Sequence, residues 1–272
     1  MRLLFGRQWW WTTLLVIVAV AVMARLGTWQ LDRLAQRRAF NARVSAQLNQ
    51  PPLMLTAGTL GVDLTEMEYR SVVVAGRYDR SQEVALRNQV WGNQLGVHLL
   101  TPLVIEGSDR AVLVDRGWIP FEDWPPKQAD QFAEPGTVEV HGVIRRSRSR
   151  SDFGGLFDPA PPPGERRLTW TQPNVALIDA QVSYPLLPVY IQQAPDPAWT
   201  SLPYRSQPEL DLSEGPHLGY AIQWFLFAAI LGIGYPIYVR QQSQQRAARP
   251  VAERQPGEAI EFGRRNHNGD RN

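Results

Sequence analysis

The 272-residue sequence predicts an α+β membrane protein in which two transmembrane helices flank an extracytoplasmic β-rich domain, built as an antiparallel sheet or a small barrel. Three observations predict this class: an uncharged segment near each end of the chain, and a series of short β-branched runs between them. We expect five regions, which are a cytoplasmic N-terminus (1–8), the first transmembrane helix (9–29), the β-rich domain with a leading helix (30–216), the second transmembrane helix (217–239) and a disordered cytoplasmic tail (240–272).

The first apolar segment is long enough to cross a bilayer. Trp9 to Ala24 carries no charge, and extension to Trp29 adds only Arg25, whose aliphatic stem can reach a headgroup. The alternative is a cleaved signal peptide, with Ala19-Val20-Ala21 as the small-residue cleavage site. Three consecutive tryptophans at 9–11 are unusual in a cleaved peptide and typical of an aromatic belt, so we favour an uncleaved anchor.

The second apolar segment is the stronger prediction, because Leu218 to Val239 contains no charge at all. Arginines follow this segment, whereas Glu209, Asp211 and Glu214 precede it, and the positive-inside rule then places the C-terminus in the cytoplasm. With two spans the N-terminus is cytoplasmic as well. The basic residues after the first span argue weakly against this orientation, but long translocated domains tolerate such charge. We therefore predict a multi-pass protein of the cell membrane.

Between the two spans, a helix precedes a series of short strands. Leu26 to Leu48 has apolar residues at helical spacing, and Pro51-Pro52 ends the pattern. Turn residues at 91–93 and 106–109 indicate hairpins, and 145–164 is predicted to be an extended loop. The predicted strands are Arg70–Tyr78, Glu83–Gln89, Gly96–Ile105, Ala111–Asp115, Thr137–Ile144 and Leu186–Gln193.

The composition argues against several classes of protein. The chain has no Cys, which excludes disulfide scaffolds, thiolate metal sites and iron–sulfur clusters. Residues 25–216 hold 19 basic and 22 acidic residues, so positive charge lies at the ends of the chain and no nucleic-acid partner is expected. The sequence contains neither a nucleotide-binding loop nor a hydrolase motif, and we therefore expect no catalytic residues and no enzyme activity.

Among the four histidines, His217 has the most informative position. It opens the second span directly after Pro216, at the boundary between water and hydrocarbon. Neutral imidazole is a good axial ligand for haem iron, and Tyr220 and Trp224 follow on about the same helical face. The alternative is an interfacial histidine that only hydrogen-bonds to headgroups or to the domain. His98 and His141 lie within strands and are predicted to be structural or surface residues.

The cluster Asp115-Arg116-Gly117-Trp118-Ile119-Pro120 follows an apolar strand and is the second distinctive motif. The favoured interpretation is a buried pair between Arg116 and Asp115, together with a tryptophan plug, that fixes a turn. The alternative is direct contact with a ligand.

Three motifs in order between the two apolar segments resemble the SURF1 family of cytochrome c oxidase assembly factors. They are Leu26-Gly27-Thr28-Trp29-Gln30-Leu31-Asp32-Arg33, Arg116-Gly117-Trp118-Ile119-Pro120 and His217-Leu218-Gly219-Tyr220-Ala221-Ile222-Gln223-Trp224-Phe225. The resemblance covers about residues 10–240 and implies a membrane protein that helps to build the haem a-containing core subunit of the terminal oxidase. Some bacterial members are thought to bind haem a, and the histidine implicated corresponds to His217.

The resemblance therefore implies transient haem a binding, with His217 as the axial ligand of the iron and an arginine paired with the propionates. The other residues expected at the haem are Tyr220, Trp224, Trp29 and either Arg33 or Arg116. The implied partners are the cytochrome c oxidase core subunit and the lipid bilayer. A non-catalytic scaffold that stabilises oxidase subunits without binding haem is the alternative, and a membrane-anchored hydrolase is a third and weaker hypothesis.

Overall fold

The computed structural model describes residues 4–128, 131–149, 157–162, 164–207 and 210–248. It divides into two compact units. The first, here called the helical unit, comprises Met1–Ala35 and Gly215–Asn272, and the second, the sheet domain, comprises Gln36–Glu214.

The first long α-helix matches its predicted extent, whereas the second is longer than the sequence predicts. Among the described residues the helices are α1 (Trp10–Leu48), α2 (Val175–Asp179) and α3 (His217–Ala248). The predicted first span and leading helix form one continuous helix, α1. Helix α3 continues past the predicted end of the second span, so the first residues of the predicted tail are helical. Residues 249–272 and 150–156, where we predict disorder and an extended loop, lie outside the described residues.

Two of these helices, α1 and α3, are long and apolar enough to cross a membrane, judged by length and composition. In the most apolar 18-residue stretch of each helix, only 6% is buried within the structure. A core helix of a soluble domain would be mostly buried, so exposure of these apolar side chains supports the prediction of two candidate transmembrane helices.

The sheet domain contains all six predicted strands, and five of them lie within a few residues of their predicted bounds. The strand predicted at Ala111–Asp115 continues to Pro120, through the motif that the sequence analysis placed at a turn. Strands β1 and β7 and the short helix α2 are additional. In chain order the strands are β1 (Leu53–Leu55), β2 (Ser71–Tyr78), β3 (Val84–Trp91), β4 (Gln94–Ile105), β5 (Ala111–Pro120), β6 (Val138–Arg146), β7 (Thr169–Trp170) and β8 (Leu186–Gln193).

Five of the strands close into a ring, which is the small barrel that the sequence left as one of two possibilities. The order around this ring is β2-β6-β8-β5-β4, and it closes where Gly76–Tyr78 of β2 pair with Leu103–Ile105 of β4. Strand β1 extends the sheet beyond β2, and β3 and β7 extend it beyond β4.

The sheet is mixed rather than antiparallel throughout, which corrects the sequence prediction. The β1–β2, β3–β7 and β5–β8 pairs are parallel. A parallel pair needs a crossover connection of a dozen or more residues. The long segment between β5 and β8 supplies one, since it adds β6 and β7 to other positions of the sheet, forms α2, and returns beside β5 as β8.

Strand β5 separates two apolar cores. Its side chains alternate, so Val112 and Val114 pack into the interior of the ring with residues of β2, β6 and β8. Ala111 and Leu113 point to the opposite face, where they pack with Trp170 of β7 and with α2. Burial on both faces explains why almost the whole of β5 is inaccessible to solvent.

A buried ionic cluster joins the strands near the middle of the sheet domain. The Arg116 side chain is fully buried, and its Nη1 and Nη2 atoms lie 3.1 Å from Glu83 Oε2 and 2.9 Å from Glu134 Oε1. Arg205 donates to the other oxygen of Glu134 at 3.0 Å. The Tyr78 ring centroid lies 4.7 Å from the Arg116 guanidinium carbon. Two arginines and two glutamates neutralise one another, which is what burial of charge requires.

The predicted pair between Arg116 and Asp115 is wrong. Successive side chains of a strand point to opposite faces, so two neighbours on β5 cannot meet. Asp115 instead lies 3.0 Å from His98 Nδ1 on β4 and accepts the Gly117 backbone N–H at 3.1 Å. This contact gives His98 the structural role that the sequence predicts.

The predicted tryptophan plug is present. Trp118 is buried, and its ring lies parallel to that of Tyr204 with 6.1 Å between centroids. Gly117 has a φ of +119° and packs against the Tyr204 backbone, where an added Cβ would lie 2.4 Å from the carbonyl oxygen. A glycine is therefore required at this position.

Replacing Arg116 tests whether the ionic cluster is structural. We expect Arg116→Leu to lower the free energy of unfolding by about 3–5 kcal/mol, because Glu83 and Glu134 keep their charges without their buried partner. Urea denaturation of the full chain in detergent, followed by tryptophan fluorescence, measures the change. Arg77→Leu is the matched control on the exposed face of β2, with an expected change within about 0.5 kcal/mol. Equal losses in the two variants would contradict a structural role for the cluster.

The contact between His98 and Asp115 predicts a pH dependence of stability. Burial lowers the pKa of His98, but the charge of Asp115 and its hydrogen bond outweigh burial, so the pKa lies above the ordinary value of 6.5. The stabilisation is then complete below pH 6.5 and is lost as pH rises through the higher pKa of the folded state. Urea denaturation over this range should show a decline that His98→Asn abolishes. His141→Asn, at an exposed pair with Glu139, should retain it.

Candidate functional site

In the helical unit, α1 and α3 pack as an antiparallel pair along one seam. Buried and half-buried side chains recur with alternating spacings of three and four residues, which is the pattern of a left-handed helix pair. On α1 the seam residues are Thr13, Val16, Val20, Met23, Gly27 and Gln30, and on α3 they are His217, Ala221, Trp224, Ala228, Leu231 and Tyr235.

Small residues allow the two helices to approach closely. An added Cβ on Gly27 would lie 2.8 Å from the Phe225 ring, so only glycine leaves room for that ring at this point. Ala221 and Ala228 are almost completely buried on the facing helix. Close packing of small residues is the usual source of helix association in lipid, where the hydrophobic effect gives no driving force between helices.

Polar side chains occupy both ends of the seam. At one end the Tyr235 hydroxyl lies 2.8 Å from the hydroxyl oxygens of Thr12 and Thr13. At the other end the His217 Nδ1–H donates to Gln30 Oε1 at 2.8 Å, and this bond joins residues that are 187 positions apart in the chain. Polar contacts at two fixed points define the register of the pair.

The imidazole of His217 keeps one nitrogen available. The ring is half-buried and lies in the first turn of α3. Its Nδ1 is engaged by Gln30, and among the described residues none hydrogen-bonds to Nε2. Gly215 precedes this edge of the ring with a φ of +68°, and an added Cβ there would lie 3.6 Å from Nε2.

Most of the sequence-predicted site residues lie in the helical unit. Tyr220 and Trp224 follow His217 on α3; Tyr220 is exposed and Trp224 is half-buried. Trp29 directly precedes Gln30 on α1, and its exposed ring lies 5.7 Å from the guanidinium carbon of Arg33.

Arg116 belongs to the sheet domain, where its guanidinium is occupied by Glu83, Glu134 and the carbonyl of Phe132. These partners favour the structural interpretation of Arg116. Its predicted contact with a haem propionate stays a prediction, and Arg33 is the arginine that shares a unit with His217.

Sequence reasoning missed the role of Gln30, although it lies within one of the three motifs that carry the family resemblance. The signal that could have identified it is a strongly polar side chain at a seam position of an otherwise apolar periodic pattern.

The donor set at the head of α3 fits a haem ligand. A neutral imidazole with its Nδ1–H bonded to an amide carbonyl presents Nε2 as a lone pair, which is the form that binds metals. Tyr220 and Trp224 follow His217 on α3 and offer aromatic surface of the kind that a porphyrin contacts.

Comparison with known proteins identifies the same family that the motifs suggested. The SURF1 family profile matches residues 17–229. A SURF1-like protein of Monosiga brevicollis is 27% identical over 82% of this chain and 85% of its own length. Surfeit locus protein 1 of Rattus norvegicus is 24% identical over 79% of this chain and 72% of its own length.

The Xenopus tropicalis Surfeit locus protein 1 is 27% identical over 50% of this chain and 48% of its own length. The profile covers both candidate transmembrane helices in part and the whole sheet domain between them. The chain belongs to the SURF1 family.

Proposed function

We propose that this chain is a cell-membrane assembly factor for cytochrome c oxidase and assists the insertion of haem a into the core subunit. Membership of the SURF1 family supports the assembly role. One observation carries the haem proposal, namely that His217 stands at the head of an apolar helix with Nδ1 bonded and Nε2 available.

In this proposal haem a is the cargo and its iron supplies an open coordination position. His217 would hold the iron through Nε2, while Trp224 and Tyr220 would contact the macrocycle from the same helix. The Arg33 guanidinium would pair with a propionate, because its planar set of donors matches a carboxylate. An amphipathic porphyrin partitions to the end of a transmembrane helix, where its tail lies in hydrocarbon and its carboxylates meet water.

The proposed topology places both termini in the cytoplasm and the sheet domain outside. Acidic residues precede α3, and arginines follow its apolar segment. The positive-inside rule assigns the arginine-rich side to the cytoplasm. Two candidate transmembrane helices then require the N-terminus to lie on that same side.

A second function is a scaffold that holds oxidase subunits without contact with haem. The hydrogen bond between His217 and Gln30 favours this function, because fixing the register of the two helices is by itself a sufficient role for a polar pair in a helix seam. Under this function the chain co-purifies with the oxidase and carries no porphyrin.

The absorption spectrum of the purified chain distinguishes the two functions. From cells that make haem a, we expect the unaltered chain to carry haem a absorbance and His217→Ala to lose it, because the iron loses its axial nitrogen. His141→Ala is the matched control, since His141 is an exposed histidine of the sheet domain, and it should keep the absorbance. Equal absorbance in the His217→Ala chain would refute the haem site, and absence of porphyrin from every preparation would favour the scaffold.

The absence of Cys allows the topology to be mapped with single introduced cysteines. Asp109→Cys lies in the exposed turn between β4 and β5, and Gln245→Cys lies near the end of α3. In intact spheroplasts we expect a membrane-impermeant maleimide to label the first at once and the second only after permeabilisation. The reverse pattern, or labelling of both without permeabilisation, would overturn the topology.

A further inference from the structure

The hydrogen bond between His217 and Gln30 has a chemical consequence beyond helix packing. A neutral imidazole carries its proton on one nitrogen only, and the partner of each nitrogen decides which. Gln30 presents its carbonyl oxygen to Nδ1 at 2.8 Å. An oxygen acceptor at this position holds the proton on Nδ1, so the lone pair is left on Nε2.

Gly215, in the segment that enters α3, lies beside the opposite edge of the ring. Gly215 has a φ of +68°, a left-handed conformation that glycine adopts without strain. A Cβ at this position would touch the ring 3.5 Å from Cδ2 and 3.6 Å from Nε2. A methyl group there would lie in ordinary van der Waals contact with the Nε2 edge of the ring, and the backbone conformation is what favours glycine.

We propose that Gln30 is a positioning residue, which holds His217 in the Nδ1–H tautomer and so leaves the Nε2 lone pair available to the ligand. This inference rests on the proposed function, because Nε2 is the atom that would hold the iron. Hydrogen bonding of the second ring nitrogen is a common means of fixing both the tautomer and the orientation of a metal-binding histidine.

A glutamine is well suited to this position in an apolar helix. Its carbonyl oxygen accepts the Nδ1–H bond, and the side chain adds no charge that would have to be desolvated. A leucine would leave the Nδ1–H without an acceptor. A histidine side chain without a partner prefers the proton on Nε2, and that nitrogen then has no lone pair in the ring plane for a metal. A glutamate would restore an acceptor at the same distance from the backbone.

The competing explanation is that the bond serves only helix register. The other end of the seam offers a control, since Thr12 and Thr13 both hydrogen-bond to the Tyr235 hydroxyl. Replacement of both threonines by valine removes polar contacts from the seam but touches neither nitrogen of His217. A register role predicts similar effects of changes at either end, whereas a positioning role predicts effects from Gln30 alone.

The experiment is long-range 1H–15N correlation NMR of the full chain without haem, labelled with 15N-histidine, in detergent at a pH where imidazole is neutral. The signal of His217 is assigned by its loss in His217→Ala. We expect a protonated Nδ1 and an unprotonated Nε2 in the unaltered chain, in Gln30→Glu and in the double-valine control. Gln30→Leu should shift the protonation to Nε2.

Titration with hemin, followed by Soret absorbance, measures the effect on binding. We expect Gln30→Leu to weaken binding about 10- to 100-fold, as is usual for loss of a hydrogen-bond partner of a metal-binding histidine. Gln30→Glu should recover most of this loss.

A protonated Nε2 in the unaltered chain would overturn the inference, and so would an unchanged tautomer in Gln30→Leu. Equal loss of hemin affinity in Gln30→Leu and in the double-valine control would assign the bond to register alone and would also overturn it. The expected tautomers in a chain that binds no hemin would refute the proposed function while leaving the positioning role of Gln30 intact.

Discussion

The packing of α1 against α3 is the constraint on which the helical unit depends. In a bilayer, lipid tails would be as apolar as these helices, so burial of apolar surface would not hold the two together. What remains is close contact through Gly27, Ala221 and Ala228, and polar contact at the two ends of the seam. Because the seam repeats every seven residues on both helices, the contacts stay on one face along its length. The same repeat brings His217 and Gln30 opposite each other, so the register of the helices and the hydrogen bond at the head of α3 have one origin.

The strand positions were largely predictable because each strand has its own local pattern of β-branched residues and turns. Strands β1 and β7, with three and two residues, are too short to show a period of two, and only their neighbours stabilise them. Parallel pairing of β5 with β8 depends on how a long connection crosses the sheet, and no local pattern encodes that. The alternation of side chains was sufficient in principle to exclude the pair between Asp115 and Arg116, but the partners of Arg116 come from distant segments.

The candidate site was predictable where one residue combines its chemistry with an unusual location. His217 stands out because an imidazole at the head of an apolar helix is rare and chemically versatile. Gln30 contacts His217 from the other helix, and Gly215 lies beside the His217 ring, so no local sequence pattern reveals either contact. Arg33 and Arg116 look alike in the sequence, yet the first lies on an exposed aromatic ring and the second in a neutral buried cluster.

The position of β8 in the ring has a consequence for biosynthesis. This strand is the last of the sheet in chain order, yet it fills the gap between β5 and β6, which are made earlier. The chain is synthesised with its N-terminus first. The edges of β5 and β6 that pair with β8 therefore expose unpaired backbone groups until residue 193 has left the ribosome. Until then the sheet is open, and its unpaired strand edges are prone to aggregation. Protection from aggregation by chaperones or by the translocation machinery matters most in that interval.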